Sequence, residues 1–150
     1  MANIQKDYGS SMLKKECQYC LNREAIENFG RVALETESSL IIVFKDQSHK
    51  GRMVVAYKKD HVAEIADLSK EELDLFMADV IKTVKIMRKL FNPDRVNYGA
   101  FSDTLGHLHI HLVPKYEGGF EWGGTFQMNT GNYASDEEID NLCKLVKENW

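Results

Sequence analysis

The first half of the chain is patterned in short apolar runs, and its middle changes to a helical period. Residues 40–44 and 53–57 are β-branched or aromatic runs, and the polar segment between them contains Gly51. Runs of this length around a turn signal predict adjacent antiparallel strands. Residues 31–37 are expected to form another strand before them.

In the middle of the chain, apolar positions recur at steps of three and four, which is the spacing of an amphipathic helix. Ser69 and Glu72 have the spacing of a capping box at its start. The helix is expected to end before Pro93, because the residue before a proline is disfavoured in the α region. Ser135 and Glu138 repeat the capping pattern, so another helix is predicted near the C-terminus.

Residues 96–101 and 108–115 are interpreted as two further strands, and residues 118–124 as a glycine-rich loop. This element order, with hairpin-length connections between strands, predicts an α+β fold with an antiparallel sheet of about five strands, a long helix and a C-terminal helix. The sequence has no internal repeat and no Pro/Ser-rich linker. Residues 1–150 are therefore interpreted as a single domain.

Composition narrows the class of protein. The chain has 150 residues, of which 43% are hydrophobic, and a formal net charge of −4. This profile indicates a globular domain, and its acidity disfavours a nucleic-acid binder, which would carry a basic face. No apolar run reaches the ~18 residues of a membrane span, and the N-terminus lacks the apolar core of a secretory signal. No membrane association and a cytoplasmic location are therefore expected.

The cysteines indicate metal or thiol chemistry in a reduced compartment, because three of them cannot complete a disulfide framework. Cys17 and Cys20 have the two-residue spacing that lets both thiolates bind one tetrahedral ion. A thioredoxin-like redox pair would need a βαβ context, and buried apolar thiols are the remaining alternative. Cys143 is expected in the core, and His49, in a turn, is expected to be exposed.

Three histidines alternate with apolar residues at His107, His109 and His111. The two-residue period of a strand places all three imidazoles on one face. Such a face could ligate a transition metal through neutral nitrogens. Alternatively, one imidazole could be a nucleophile, with its tautomer fixed by a hydrogen bond on the other nitrogen and its neighbours binding phosphate oxygens. The residues alone leave both chemistries open.

The run at residues 107–113 has the pattern His-φ-His-φ-His-φ-φ, where φ is apolar, and Pro114-Lys115 follows it. It resembles the signature of the histidine triad (HIT) superfamily of nucleotidyl hydrolases and transferases. The resemblance extends from Cys17 to about Trp122. It includes the segments Phe44-Lys45-Asp46, Gly51-Arg52-Met53-Val54-Val55-Ala56 and Lys59-Asp60-His61, and the residue Asn97.

The resemblance implies that His109 attacks the α-phosphorus of a nucleotide and forms a covalent nucleotidyl-histidine. Water would then release a nucleoside monophosphate, and His111 would contact the phosphate oxygens as charge develops. The implied substrates are dinucleoside polyphosphates or nucleoside phosphoramidates. The alternatives are a nucleotidyl transferase and a nucleotide-binding regulatory module with little turnover.

The resemblance also implies substrate-binding residues. Asp46 would accept hydrogen bonds from ribose hydroxyls, although its place in residues 45–48 is also typical of a turn residue. Asn97 and Thr104 would contact phosphate. Asp103 departs from the family pattern, in which many members carry an amide. Arg52 also departs from it, because many relatives carry a histidine there. A cationic phosphate contact and a solvated strand end are both consistent with Arg52.

Some branches of the superfamily bind structural zinc. The resemblance implies that the zinc ligands of this chain are Cys17, Cys20, His61 and His107. Members are commonly homodimers joined through the long helix and an edge strand. A small-molecule nucleotide and a second copy of the chain are therefore the expected partners.

Overall fold

The predicted strands form one antiparallel sheet in the computed structural model, which describes residues 17–21 and 23–150. The strands are β1 (Gly30–Glu35), β2 (Ser39–Phe44), β3 (Met53–Tyr57), β4 (Arg95–Gly99) and β5 (His109–Lys115). Their spatial order is β1-β2-β3-β5-β4, so β5 lies inside the sheet and β4 at its edge. The α+β prediction with five antiparallel strands is confirmed.

In chain order, two short helices of the described residues precede β1, a long helix lies between β3 and β4, and a last helix follows β5. They are α1 (Gln18–Leu21), α2 (Arg23–Ile26), α3 (Lys70–Phe91) and α4 (Asp136–Glu148), with a 3-10 turn at Ile65–Asp67. Both predicted capping boxes are present, one between Ser69 and Glu72 and one between Ser135 and Glu138. The long helix ends at Asn92, whose left-handed backbone (φ 47°) stops the helical path. No helix among the described residues is both long and apolar enough to cross a membrane.

Burial on both faces of the central strands creates two apolar layers. The α3 and α4 side contains alternate sheet residues such as Val55, Ile110 and Leu112. The opposite side contains Val54 and Ala56, together with residues from the N-terminal segment. This alternation matters for the site, because it assigns every second residue of β5 to the second side.

The registers of β3, β4 and β5 place the histidines. His109 pairs with Ala56, and His111 pairs with Val54 on one side and Gly99 on the other. Cross-strand partners share a face, so both imidazoles lie on the side of the sheet away from α3 and α4. The single-face arrangement predicted from the period of two is present at these two positions.

Candidate active site and metal centre

His109 is a buried imidazole with a defined tautomer. Its Nδ1 lies 2.7 Å from the carbonyl oxygen of His107. A carbonyl only accepts, so Nδ1 carries the proton and Nε2 keeps its lone pair. Burial lowers the pKa of His109, opposed by this hydrogen bond. The ring is therefore neutral at neutral pH and presents an unprotonated nitrogen.

His111 is the neighbouring imidazole, and its ring centroid lies 5.2 Å from that of His109. Its Nδ1 lies 3.3 Å from Nη2 of Arg52. Burial lowers the pKa of His111 to about 3, and repulsion between its protonated form and the His109 and Arg52 side chains adds to this effect. His111 is therefore also neutral.

A cavity of about 310 Å³ opens beside these two rings. The further polar residues on its wall are Gln18, Asp103, Thr104 and Asn129, of which Asp103 and Thr104 were already considered in the sequence. Most of the wall is aromatic or apolar. The aromatic wall residues are Tyr19, Phe29, Phe44 and Phe101. Such a cavity fits a ligand that combines a flat aromatic ring with a polar group.

Tyr19, which no sequence motif indicated, also lines this cavity. Its ring stacks on both His107 and His109, with centroid distances of 5.0 Å in each case. Burial raises the pKa of Tyr19, and the charge of Cys17 adds to this effect. The sequence signal that could have identified Tyr19 is its position between Cys17 and Cys20. If both cysteines lie beside His107, the residue between them must also lie near that histidine.

Asp46 lies outside this cavity and already has four hydrogen-bond donors. Its Oδ1 accepts from the backbone N–H and hydroxyl of Ser48, and its Oδ2 accepts from the backbone N–H and hydroxyl of Thr130. Burial opposes ionisation, but these hydrogen bonds outweigh it and hold the pKa of Asp46 below its usual value. In this arrangement the carboxylate joins the end of β2 to the segment before α4.

Arg52 is 1% exposed, so the interpretation as a solvated strand end is wrong. Its Nη1 donates to the carbonyl of Gln127 at 3.0 Å. Its guanidinium carbon lies 4.2 Å from the ring centroid of Phe44 and 5.1 Å from that of Phe126. Burial lowers the pKa of Arg52 to about 10 despite the opposing charges of nearby carboxylates, so the side chain stays charged at neutral pH.

The expectation that His49 is exposed is also wrong, because it is 5% exposed. The loop after β5 folds back over its turn, and His49 Nε2 lies 2.6 Å from a carboxylate oxygen of Glu121. The Lys115 ammonium holds the same loop by donating to the carbonyls of Glu121 and Gly124. No local sequence signal indicates this long-range cover.

Asn97 lies apart from the histidine cavity. It lines a second cavity of about 390 Å³ together with Arg95, Lys115 and Trp122. It pairs with Val113 across the β4–β5 ladder, two residues beyond His111. Thr104 therefore lines the cavity with the two histidines, whereas Asp46 and Asn97 are not among the described residues that line it.

Cys17, Cys20, His61 and His107 form a compact cluster beside the cavity. Their ligand atoms all lie within 4.8 Å of one another. The Nδ1 atoms of His61 and His107 are 3.3 Å apart, and Cys20 Sγ lies 3.2 Å and 3.4 Å from them. The four side chains are compatible with a metal site.

A hydrogen bond on the far side of His107 orients its ring toward this cluster. His107 Nε2 lies 2.6 Å from the carbonyl oxygen of Tyr57. The carbonyl can only accept, so the proton is on Nε2 and the lone pair of Nδ1 faces the two thiols. Burial lowers the pKa of His107 to about 4, which keeps that lone pair available. Cys143, in α4, lies elsewhere in the fold.

The antiparallel sheet, the alternating histidines of β5 and the adjoining cysteine–histidine cluster together define a protein of the histidine triad class. A family model described as HIT domain matches residues 26–118, so the chain belongs to the HIT domain family. The resemblance drawn from the sequence is thereby confirmed.

Two relatives align with part of the chain. An uncharacterized HIT-like protein of Methanocaldococcus jannaschii is 30% identical over 93 residues, which are 59% of this chain and 71% of that protein. An AP-4-A phosphorylase of Mycobacterium tuberculosis is 27% identical over 107 residues, which are 65% of this chain. The match spans 51% of the phosphorylase, or about half its length.

Solved structures share the fold. A histidine triad protein of Marinobacter aquaeolei has a TM-score of 0.76 at 17% identity, covering 86% of this chain and 93% of that one. A histidine triad protein of Bradyrhizobium japonicum has a TM-score of 0.75 at 17% identity, covering 83% of this chain and 94% of that one. These likenesses concern the architecture of the sheet and helices.

Replacement of Asp46 by Asn is expected to destabilise the protein in a pH-dependent way. The new amide would face the donors of Thr130, so we expect a loss of about 1–3 kcal/mol in the free energy of unfolding at pH 7. The folded pKa of Asp46 is depressed, so its stabilisation is complete above the unfolded pKa of about 3.9 and is lost as pH falls through the folded value.

Urea denaturation of wild type and Asp46→Asn at pH 7 and in the acid range measures this difference. The gap between the two proteins should narrow as pH falls. A gap of equal size at both ends would contradict the prediction. Asp103→Asn is the matched control, because that carboxylate lies on the exposed loop before β5.

Proposed function

We propose that this chain is a nucleotide hydrolase of the HIT type, which releases a nucleoside monophosphate from dinucleoside polyphosphates or nucleoside phosphoramidates. The state of His109 carries the proposal: a neutral, buried imidazole that keeps the lone pair of Nε2 and lines an aromatic-walled cavity. A neutral imidazole is a competent nucleophile near pH 7. Membership of the HIT domain family supports nucleotide chemistry at this cavity.

In the first step, Nε2 of His109 forms a bond to the α-phosphorus while the bond from phosphorus to the leaving group breaks. The leaving group departs with the bonding electron pair, as a phosphate anion from a dinucleoside polyphosphate or, after its nitrogen takes up a proton from solvent, as a neutral amine from a phosphoramidate. The imidazole then carries a positive charge, which the hydrogen bond from Nδ1 to the His107 carbonyl stabilises. In the second step, water attacks phosphorus, its proton passes to solvent, and the electron pair of the P–N bond returns to Nε2.

We propose the substrate role of each side chain from its position. We assign the phosphate contacts to His111 and Thr104, which line the cavity with His109. Binding of ribose by Asp46 requires the ribose hydroxyls to replace the donors of Thr130. Asn97 lies two strand positions beyond His111, or about 7 Å, where the distal phosphates of a polyphosphate would pass.

The metal that we propose for the cysteine–histidine cluster is a structural zinc ion. Zinc bonds of about 2.0 Å to nitrogen and about 2.3 Å to sulfur give a tetrahedron with N–N edges of about 3.3 Å and N–S edges of about 3.5 Å. Four of the six separations in the cluster match these edges: 3.3 Å between the two imidazole nitrogens and 3.2–3.4 Å for three nitrogen–sulfur pairs. The other two, which both involve Cys17, lie within 4.8 Å. Zinc bound there would tie the segment before β1 to β5, next to the cavity.

We also propose a homodimer. The edge strand β4 exposes Tyr98, and α3 exposes Leu75 and Ile81. These apolar side chains lie on the two elements that the family resemblance implicates in dimer formation. Sedimentation equilibrium at micromolar concentration should give twice the 17.2 kDa mass of one chain, and a mass of one chain would refute the dimer.

The nucleophile is tested by His109→Asn. Asparagine keeps an N–H group that can donate to the His107 carbonyl but has no nucleophilic nitrogen. We expect kcat/KM to fall by at least about 1,000-fold. The measurement is release of adenosine monophosphate from adenosine phosphoramidate and from a diadenosine polyphosphate. Full activity in this variant would refute the assignment, and nucleotide binding by the wild type without any product would favour a regulatory module.

A nucleotidyl transferase is the second candidate, favoured by one comparison. The relative from Mycobacterium tuberculosis is named an AP-4-A phosphorylase. In that chemistry phosphate takes the place of water as the acceptor in the second step. Addition of inorganic phosphate to the assay distinguishes the two, because hydrolysis gives a nucleoside monophosphate and phosphorolysis gives a nucleoside diphosphate.

The zinc centre is tested by metal analysis of the purified protein. We expect about one equivalent of zinc per chain, loss of the metal in Cys20→Ser, and a lower melting temperature after chelation. Cys143→Ala is the matched control, since this thiol lies outside the cluster, and it should keep the full equivalent. Less than about a tenth of an equivalent in the wild type, with unchanged folding after chelation, would refute the zinc assignment.

A further inference from the structure

We propose that Arg52 is a positioning residue, which holds His111 in the tautomer that donates a hydrogen bond from Nε2 toward the substrate. The inference rests on the proposed function, because a donor at His111 matters when charge develops on phosphate oxygens nearby. The sequence left undecided whether Arg52 contacts phosphate directly.

The direction of one hydrogen bond fixes the tautomer of His111. Nη2 of Arg52 lies 3.3 Å from Nδ1 of His111. A guanidinium has five N–H donors and no acceptor, so Nδ1 must be the acceptor. A neutral imidazole has a single N–H group, and in His111 that group is therefore on Nε2.

His109 differs from His111 in the partner of its Nδ1 atom. There a carbonyl acceptor holds the proton on Nδ1 and leaves a lone pair on Nε2. In His111 a cationic donor has the opposite effect. Two chemically identical side chains, two residues apart on one strand, thus present a nucleophile and a donor to the same cavity. The difference comes from the partner of each Nδ1.

Neutral groups hold the Arg52 side chain in place. The carbonyl of Gln127 accepts from Nη1, and the guanidinium lies against the rings of Phe44 and Phe126. These rings also contact His111, with centroid distances of 5.3 Å and 5.9 Å. Arg52 and His111 are therefore packed in one aromatic setting, which limits movement of either side chain.

A direct contact between Arg52 and a substrate phosphate is excluded in this arrangement. Arg52 is 1% exposed and is absent from the described residues that line the histidine cavity. A phosphate at the cavity would meet His111 first. The positive charge of Arg52 also opposes protonation of His111, so the ring stays neutral with its one proton on Nε2.

The test compares Arg52→Met with Arg52→Lys in the full-length protein. Methionine fills similar volume without a donor, whereas lysine keeps a cationic donor. Nitrogen-15 NMR of the histidine side chains reads the tautomer of His111 without any turnover. We expect the Nε2–H form in wild type and Arg52→Lys, and a mixture of tautomers in Arg52→Met. Circular dichroism and metal content verify that each variant is folded.

The kinetic arm separates positioning from substrate binding. For Arg52→Met we expect kcat to fall by about tenfold or more, with KM changed by less than about threefold, and for Arg52→Lys we expect kcat to be largely retained. A raised KM with unchanged kcat would show a direct substrate contact and overturn the proposal. An Nδ1–H form of His111 in the wild type would overturn it equally.

This design distinguishes failure of the inference from failure of the proposed function. If His109→Asn keeps full activity while the NMR arm gives the Nε2–H form of His111, the proposed nucleophile is refuted and the tautomer assignment stands. If His109→Asn is inactive and Arg52→Met keeps both the tautomer and kcat, the proposed function stands and the role of Arg52 is refuted.

Discussion

Burial of β5 on both faces is the constraint on which the rest of the structure depends. Its position between β3 and β4 sends Ile110 and Leu112 into the layer under α3 and α4, and it sends His109 and His111 to the opposite side. A buried imidazole is costly unless its polar atoms have partners. The Nδ1 atoms therefore meet a carbonyl in one case and a guanidinium in the other.

These partners also bear on how an acidic chain could bind the phosphates of the proposed substrate. The whole protein has a net charge of −4, so its global field does not attract an anion. Around the cavity the two imidazoles are neutral, and the charge of Arg52 lies just behind His111. Local donors and one buried cation then act at short range, where a low dielectric strengthens them.

The cysteine–histidine cluster and the cavity are parts of one arrangement. His107 contributes Nδ1 to the cluster, and its carbonyl fixes the tautomer of His109. Tyr19, between the two cysteines, stacks on both rings. Whatever holds Cys17 and Cys20 at the sheet therefore also places an aromatic wall of the cavity, so the proposed zinc and the proposed catalysis share residues.

The sequence by itself determined the elements and the face on which the histidines lie. The period of two along β5 and the helical period of α3 are local patterns that encode which side of each element is buried. Both capping boxes are local patterns that encode where a helix begins. The motif also led to the cysteine–histidine cluster through family resemblance. These features needed no knowledge of the path of distant loops.

Only the tertiary structure decided what surrounds the histidines. Asp46 meets Thr130 across 84 residues, and Arg52 meets Gln127 across 75, because the chain after β5 folds back over the β2–β3 turn. That path buries Arg52, for which the sequence left a phosphate contact and a solvated position open. It also buries His49, which was expected to be exposed. Loop paths depend on many non-local contacts and leave no periodic signal, so the burial of Arg52 against His111 could be found only in the folded chain.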